Sequence, residues 1–411
     1  MNYGCIGEHL GHSFSRDIHA LLDTYEYTLQ ELSPQELPSF LKAREFCGIN
    51  VTIPYKGDVI PFIDELSETA RAIGAVNTIV NRGGKLFGYN TDFGGMKALI
   101  LRLGLSFSGA KVLVLGTGGT SRTAVAVATH LGAREVITVS RTGNRGAITY
   151  EEATTNHTDA DYIINTTPAG MFPNVEGCPV DIQHFPHLSG VVDAVYHPLR
   201  TRLVRAAKAR GIPAEGGLYM LVMQAVLAWE LFTGKTCSAE TAEKVYRQVL
   251  SARQNVVLVG MPGSGKTTVG QELARRLSRP LIDTDAVVTK TTGTDIPTLF
   301  QTEGEIAFRN YETAAVKETA VKTGIVIATG GGAVLRSENI DALRGNGKIF
   351  FLNRPLADLL PTKDRPLASS VEAIRQRFSE REHLYRAAAD CIISADTSVS
   401  EVAAAIEREL L

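Results

Sequence analysis

The sequence predicts an α/β protein built on parallel sheets, and three observations carry that expectation. Aliphatic strand-like runs alternate with helical patterns almost throughout, the order in which crossover helices join parallel strands. Two of those runs feed glycine-rich turns, KVLVLGTGGTSR at 111–122 and NVVLVGMPGSGKTT at 255–268. The 411 residues fill two or three domains at about 100–200 residues each.

Composition narrows the class. Hydrophobic residues are 44% and charged residues 21%, so the chain can bury several cores and wholesale disorder is not expected. A formal net charge of −2 argues against a general nucleic-acid or membrane-surface binder. The positive charge that matters is therefore expected in local anion sites. Cys5, Cys47, Cys178, Cys237 and Cys391 are far apart and form no CxxC pair. That argues against a disulfide framework or a zinc site and fits reduced thiols in the cytoplasm. MNYGCIGEHLGHSFSR at the N-terminus lacks a basic-then-apolar signal pattern. The most apolar stretch, 218–232, is interrupted by Gln224 and Glu230; it is too short and polar for a membrane span and reads as a buried helix.

The two glycine turns differ in type, so they are not an internal repeat. The expected organisation is a first α/β unit over 1–100, a second over 101–250, and a third over 254–411. Part of 215–250, including the apolar helix, is expected to pack back on the first unit. A boundary falls near Ser251 to Gln254, where the helical stretch AETAEKVYRQVL ends without a Gly/Ser/Pro-rich linker.

The first turn has the parts of a dinucleotide site. Glycines permit tight bending and close approach of backbone to pyrophosphate, and a following helix N-terminus supplies N–H groups. Gly116, Thr117, Gly118 and Gly119 stand after VLVL, while Ser121 takes the third-glycine position, so the fingerprint is imperfect. About 20 residues on, an NAD site places an acid for the ribose hydroxyls. Here VITVSRTGNR offers Ser140, Arg141, Thr142 and Arg145, and no acid. Guanidinium forks match phosphate, which points to the 2′-phosphate of NADP; the alternative is a pair of solvated loop arginines.

Other clusters surround this turn: GHSFSRDIHA at 11–20, GINVTIPYK at 48–56, GAVNTIV with GYNTDFGG at 74–95, INTTPAGM at 164–171 and GGLYMLVMQA at 216–225. In this order and spacing residues 1–250 resemble shikimate dehydrogenase. Reducing a ketone by hydride leaves a developing alkoxide, which needs a proton donor and a group to hold that donor. The resemblance implies Lys56 as the donor to the oxygen at C3 of 3-dehydroshikimate, and Asp92 as the group that orients it and binds a ring hydroxyl. It places Ser13 and Ser15 at the substrate carboxylate, Thr52, Asn77 and Gln224 at the ring hydroxyls, and Tyr196 as a further contact. Gly217 and Met220 match positions lining the nicotinamide.

The second turn, GMPGSGKTT at 260–268, satisfies G-x-x-x-x-G-K-[ST] in full. Backbone N–H groups over Gly263, Ser264 and Gly265 cradle nucleotide phosphates with Thr268 beyond; Lys266 reaches the β and γ oxygens, and Thr267 binds Mg²⁺. The acceptor must be read elsewhere. DTD at 283–285, GEIAFRNYE at 304–312, TGGGAV at 329–334, DRPL at 364–367 and REHLY at 381–385 together resemble shikimate kinase. That resemblance implies Asp283 at Mg²⁺, Asp285 at the acceptor hydroxyl, Arg309 and Arg381 on the substrate carboxylate, and Gly331 and Gly332 beside the ring. It implies Arg365 from a lid that meets the transferring phosphoryl group. The stretch PLADLLPTKDRPLASS is shorter than in many members of that family and offers only Lys363 as a second cation.

The expected fold is thus an N-terminal α/β substrate domain and a Rossmann-type NADP domain, followed by a P-loop kinase α/β domain with a parallel sheet. The expected function is NADPH-dependent reduction of 3-dehydroshikimate to shikimate, then MgATP-dependent phosphorylation to shikimate 3-phosphate. The enzyme alternative is a quinate/shikimate dehydrogenase fused to a kinase of another small polyol. A ligand-sensing module that has lost catalysis is the other, against which the presence of Lys56, Asp92, Lys266, Asp283 and Asp285 counts. Expected partners are these small molecules, with no nucleic acid and no membrane. The sequence is silent on oligomeric state and channelling.

Overall fold

The computed structural model describes residues 1–10, 14–144, 146–359 and 371–410. They divide into two units, Met1–Val249 and Leu250–Leu411. The division falls inside the helix Ala239–Arg253, slightly before the boundary the sequence suggests.

Two sheets build the first unit. The N-terminal sheet runs in spatial order Tyr27–Glu31, Tyr3–Gly7, Gly48–Val51, Thr78–Arg82, Lys85–Tyr89, Glu65–Leu66. Its first three strands are parallel, and Thr78–Arg82 is antiparallel to both neighbours. That reversal has a consequence for the site. Lys56 follows the carboxyl end of Gly48–Val51, Asn77 precedes the amino end of Thr78–Arg82, and Asp92 follows the carboxyl end of Lys85–Tyr89. With Asn50 opposite Thr78, and Thr78 opposite Tyr89, all three side chains arise at one end of the sheet.

The second sheet is wholly parallel, in the order Ala214–Glu215, Gly190–Asp193, Tyr162–Asn165, Lys111–Leu115, Glu135–Ser140, Ile148–Thr149. Its central strand is buried on both faces, which is why KVLVL reads as a continuous apolar run. Leu113 and Leu115 face one core cluster while Val112 and Val114 face the other, as strand alternation requires. Gly116, Thr166, Ala194 and the residues after Ser140 all follow carboxyl strand ends, the edge where open parallel sheets bind ligands.

The helix Leu218–Thr233 joins the two sheets. Trp229 Nε1 donates to Asp23 Oδ2 at 3.0 Å, and Phe232 packs in one cluster with Cys5 and Tyr27 of the first sheet. Toward the helix Thr91–Arg102 it comes very close: a Cβ on Gly95 would stand 2.6 Å from the Met220 carbonyl, and one on Gly94 would overlap Leu227. These glycines let the helix carrying Asp92 lie against the helix carrying Met220 and Gln224.

The second unit holds a five-stranded parallel sheet, Leu281–Asp283, Val326–Ala328, Asn255–Val259, Gly347–Asn353, Cys391–Ser394. Val257 and Val259 belong to the core cluster on one face, Val256 and Leu258 to that on the other. The glycine turn leaves the central strand and opens the helix Lys266–Leu277. Among the described residues no helix is long and apolar enough to cross a membrane.

Candidate active sites

In the first unit a cavity of about 640 Å³ gathers Lys56, Asp92 and Asn77 with Ser15, Thr52 and Gln224. Tyr196, Gly217 and Met220 also line it. At its centre Lys56 Nζ lies 2.6 Å from Asp92 Oδ2; the lysine side chain is 23% exposed and the aspartate 5%. Asn77 Nδ2 donates to the other carboxylate oxygen at 2.9 Å. The side-chain carbonyl of Asn77 in turn accepts from the Thr91 backbone N–H at 2.7 Å. Asn90 caps the helix by accepting from Phe93 N–H and anchors it by donating to the Ala75 carbonyl at 3.0 Å. The carboxylate is therefore held on two sides while the ammonium stays open to the cavity. An ammonium so placed can give or take a proton at an oxygen in the cavity.

Thr52, Asn77 and Gln224 bring neutral hydrogen-bonding groups to the cavity lining, suited to hydroxyls. Ser15 opens the helix Ser15–Leu22 rather than capping it. Tyr196 packs its ring on Phe14, centroids 5.3 Å apart. Burial holds the Tyr196 hydroxyl above its usual pKa, so it is a hydrogen-bonding group, not an anion. Ser13 lies outside the described residues.

The dinucleotide turn abuts this cavity through Thr120. Gly116 has φ +112°, and a Cβ there would stand 2.7 Å from Thr166 Oγ1. Gly118 caps the helix Gly119–His130 without a side-chain bond, leaving first-turn N–H groups for an anion. Ser121, in the place of a third glycine, donates to the Gly116 carbonyl at 2.6 Å and so closes the turn on itself. Gly116 N–H donates to Val139 O at 2.8 Å, which sets the turn beside Ser140, Arg141 and Thr142. Ser140 Oγ accepts from Gly143 N–H at 3.1 Å, and Arg141 is exposed. Arg145 lies outside the described residues.

Sequence reasoning missed what aligns the loops on this side. Asp193 is fully buried. Its Oδ1 accepts from Asn165 Nδ2 and Val195 N–H, and its Oδ2 from the Thr201 hydroxyl at 2.6 Å. Asn165 Oδ1 accepts from both the N–H and the hydroxyl of Thr167. One carboxyl thus ties the Thr166–Thr167 loop to the Val195–Tyr196 loop. Burial raises it to about 6 against those three hydrogen bonds.

In the second unit Gly260, Gly263 and Gly265 have φ of +152°, +83° and +89°, a backbone that L residues avoid. Lys266 is buried with Nζ donating to the Gly260 and Met261 carbonyls at 2.8 and 2.9 Å, so the ammonium is held against the loop that would cradle phosphates. Ser264 is buried within the loop, and Thr268 sits in the first turn of the helix. Thr267 Oγ1 donates to Asp283 Oδ2 at 2.8 Å. A hydroxyl and a carboxylate brought together are hard oxygen donors, and they fit Mg²⁺.

The residues expected at the acceptor gather around TGGG. Arg309 bonds Glu312 at 2.8 Å and Glu305 at 3.0 Å. Arg381 Nη1 reaches the Gly331 carbonyl at 3.4 Å, and the Tyr385 hydroxyl donates to the same carbonyl. Asp283 Oδ1 accepts from Asp285 N–H at 3.0 Å. A Cβ on Gly330 would stand 2.5 Å from Asp285 Oδ1, and one on Gly332 would overlap the Arg309 guanidinium. The structure therefore brings Asp285, Arg309, Arg381, Gly331 and Gly332 to one place. Arg365 and Lys363 lie outside the described residues.

Comparison with known proteins covers both halves. The model of the shikimate dehydrogenase substrate binding domain matches residues 5–79, and that of shikimate kinase matches 262–411. A shikimate dehydrogenase (NADP(+)) of Clostridium perfringens is 33% identical over 264 residues, covering 60% of this chain and 97% of the relative. That of Halothermothrix orenii is 39% identical over 260 residues, covering 56% and 90%. Among solved structures, a chorismate mutase/shikimate 5-dehydrogenase fusion from Clostridium acetobutylicum is 32% identical with TM-score 0.57, over 60% of this chain and 96% of that one. Shikimate 5-dehydrogenase from Thermus thermophilus, in complex with NADP(H) and shikimate, is 32% identical with TM-score 0.54, over 60% and 99%.

Proposed function

Because the chain belongs to the shikimate dehydrogenase family and carries a shikimate kinase domain over 262–411, we propose that it performs two successive steps on one molecule. The first unit reduces 3-dehydroshikimate to shikimate, and the second phosphorylates the shikimate 3-hydroxyl with MgATP. The observation that carries the first step is the Lys56–Asp92 contact of 2.6 Å within the cavity.

NADPH, when bound, supplies the hydride. Lys56 Nζ gives its proton to the C3 oxygen as negative charge develops there, and takes it back in the reverse direction. Asp92, itself fixed by Asn77, holds that ammonium in line, so little reorganisation is needed at the moment of transfer. Ser15, Thr52, Gln224 and Tyr196 hold the ring. Gly116 through Gly119 would receive the pyrophosphate at the helix N-terminus, Gly217 and Met220 would flank the nicotinamide, and Arg141 would meet the 2′-phosphate.

In the second unit Arg309 and Arg381 hold the carboxylate of shikimate, and Asp285 accepts the proton of the attacking hydroxyl. Gly331 and Gly332 keep the ring against the backbone. The loop N–H groups and Lys266 would receive the ATP phosphates, while Thr267 and Asp283 would hold Mg²⁺, which would supply charge neutralisation at the phosphates.

A coupled assay tests the reading. The full chain is given 3-dehydroshikimate, NADPH and MgATP, and shikimate and its phosphate are followed by mass. Both products should appear in sequence. Failure to form shikimate rejects the first half, and failure to phosphorylate added shikimate rejects the second.

A further inference from the structure

The kinase unit contains a guanidinium that neither the motifs nor the mechanism above uses. Arg377 lies one helical turn before Arg381 on the helix Val371–Ala388, so the two side chains share a face. Its Nη1 is buried and has no hydrogen-bond partner among the described residues. The charged groups facing it are Arg381, Arg309, Glu305 and Glu380; burial first, then the positive charge of Arg381, lowers its pKa, while the two glutamates oppose that shift. Glu380 is exposed and accepts from Gln376. Glu305 and Glu312 are both bonded to Arg309.

Three guanidiniums therefore converge beside the glycine loop. Arg309 and Arg381 are each 7% exposed. Gathering like charges with a desolvated, unbonded N–H is unfavourable unless an anion completes the set. We propose that Arg377 is a third guanidinium of the carboxylate clamp, donating with Arg381 to the carboxylate of the acceptor acid. This rests on the reading of the second unit as a kinase of a hydroxy acid. Arg309 is already fixed by two carboxylates, so it sets the position of the clamp. Arg377 and Arg381 bring the charge that the acceptor neutralises. Their planar forks distinguish a carboxylate from a hydroxyl.

The test uses the full chain with Arg377→Ala and Arg377→Lys, saturating MgATP, and two acceptors: shikimate and its methyl ester, which lacks the anionic carboxylate. Calorimetric binding of shikimate accompanies the kinetics, so a variant slow in transfer still reports. Losing one charge-assisted contact should raise the shikimate KM and Kd of Arg377→Ala by about 10- to 100-fold. Arg377→Lys should recover part of that, and kcat and the ATP KM should stay close to the parent's. With the methyl ester the parent and Arg377→Ala should be alike. An equal loss on both acceptors would show a structural role and overturn the inference. So would unchanged shikimate binding, or a defect confined to ATP KM or kcat, which would put Arg377 on the phosphoryl side. If the parent itself phosphorylates neither acceptor, the underlying reading of the unit fails first.

Discussion

Asn77 and Lys56 grip opposite oxygens of one carboxylate: Asn77 Nδ2 is 2.9 Å from Asp92 Oδ1, and Lys56 Nζ is 2.6 Å from Asp92 Oδ2. The amide has its own carbonyl bound by Thr91 N–H, so it cannot swing away, and the lysine inherits a fixed position. Asp92→Asn keeps an oxygen for Asn77 but turns an N–H₂ toward the ammonium, setting donor against donor. Dehydrogenase kcat should fall by about 10²–10⁴-fold, the range of a positioned proton donor. Kinase turnover on added shikimate should not change. Steady-state assays of both activities on the same preparation check this.

Cofactor choice should be readable at Arg141. The strand end carries Ser140, Arg141 and Thr142 and no acid, and the arginine is exposed beside the phosphate-binding turn. Arg141→Ala should raise the KM for NADPH by about 10-fold, as loss of one charge-assisted contact would. The KM for NADH should hardly move. Equal effects on both cofactors would remove Arg141 from the 2′-phosphate site.

Asp193 gives a pH dependence whose sign can be worked out. Burial raises its carboxyl from 3.8 to about 6 despite bonds from Thr201, Val195 and Asn165. The folded state therefore binds a proton more tightly than the unfolded state. Its contribution is fully present below about pH 4 and is lost as pH rises through about 6. A shift of about two units corresponds to about 3 kcal/mol. Asp193→Asn keeps an acceptor for Asn165 and Val195 and can donate to the Thr201 hydroxyl. The variant should therefore hold its stability across about pH 4–6 better than the parent. His19, lowered by burial to about 3, works in the opposite sense, so the comparison is the difference between variant and parent in denaturant titrations. Parallel curves would show that Asp193 does not titrate in this range.

The parts legible in the sequence are those whose chemistry lies in contiguous strings. The strand–glycine–helix pattern foretells both parallel sheets because tight turns and buried strands are encoded within a dozen residues. Lys56 and Asp92 lie in short motifs, and their meeting needs only the antiparallel turn of Thr78–Arg82 against its neighbours. What is not legible depends on residues distant in sequence. Gly95 meets Met220 and Gln224 across the helix pair, and nothing in GYNTDFGG says which helix will lie there. Asp193 looks like an ordinary strand-end acid until Thr201 and Asn165 fold over it. Arg377 stands in a stretch so polar that it reads as a solvated face, and only the burial of its Nη1 sets it apart. The motif of Lys266 points its ammonium at the phosphates; the structure shows it bonded to the Gly260 and Met261 carbonyls.

Gly332 allows the carboxylate clamp to be disturbed without removing a charge. An added Cβ would overlap Nη1 of Arg309 and stand 2.6 Å from its Nη2. The obstructed atoms are the far end of a flexible side chain, but that guanidinium is paired with the buried Glu312, so Gly332→Ala should cost some stability. The guanidinium cannot simply retreat, because Glu312, 1% exposed, and Glu305 hold it from behind. It must swing off the acceptor side of the glycine loop. The shikimate KM should then rise by about 10-fold, roughly one charge-assisted contact, with the ATP KM and the dehydrogenase unaffected. Steady-state kinetics with shikimate varied at saturating MgATP, together with the melting temperature of the variant, separate the outcomes. A large fall in melting temperature with an unchanged shikimate KM would mean that the loop backbone, not Arg309, absorbs the methyl group. An unchanged shikimate KM in a stable variant would mean that Arg309 does not touch the acceptor.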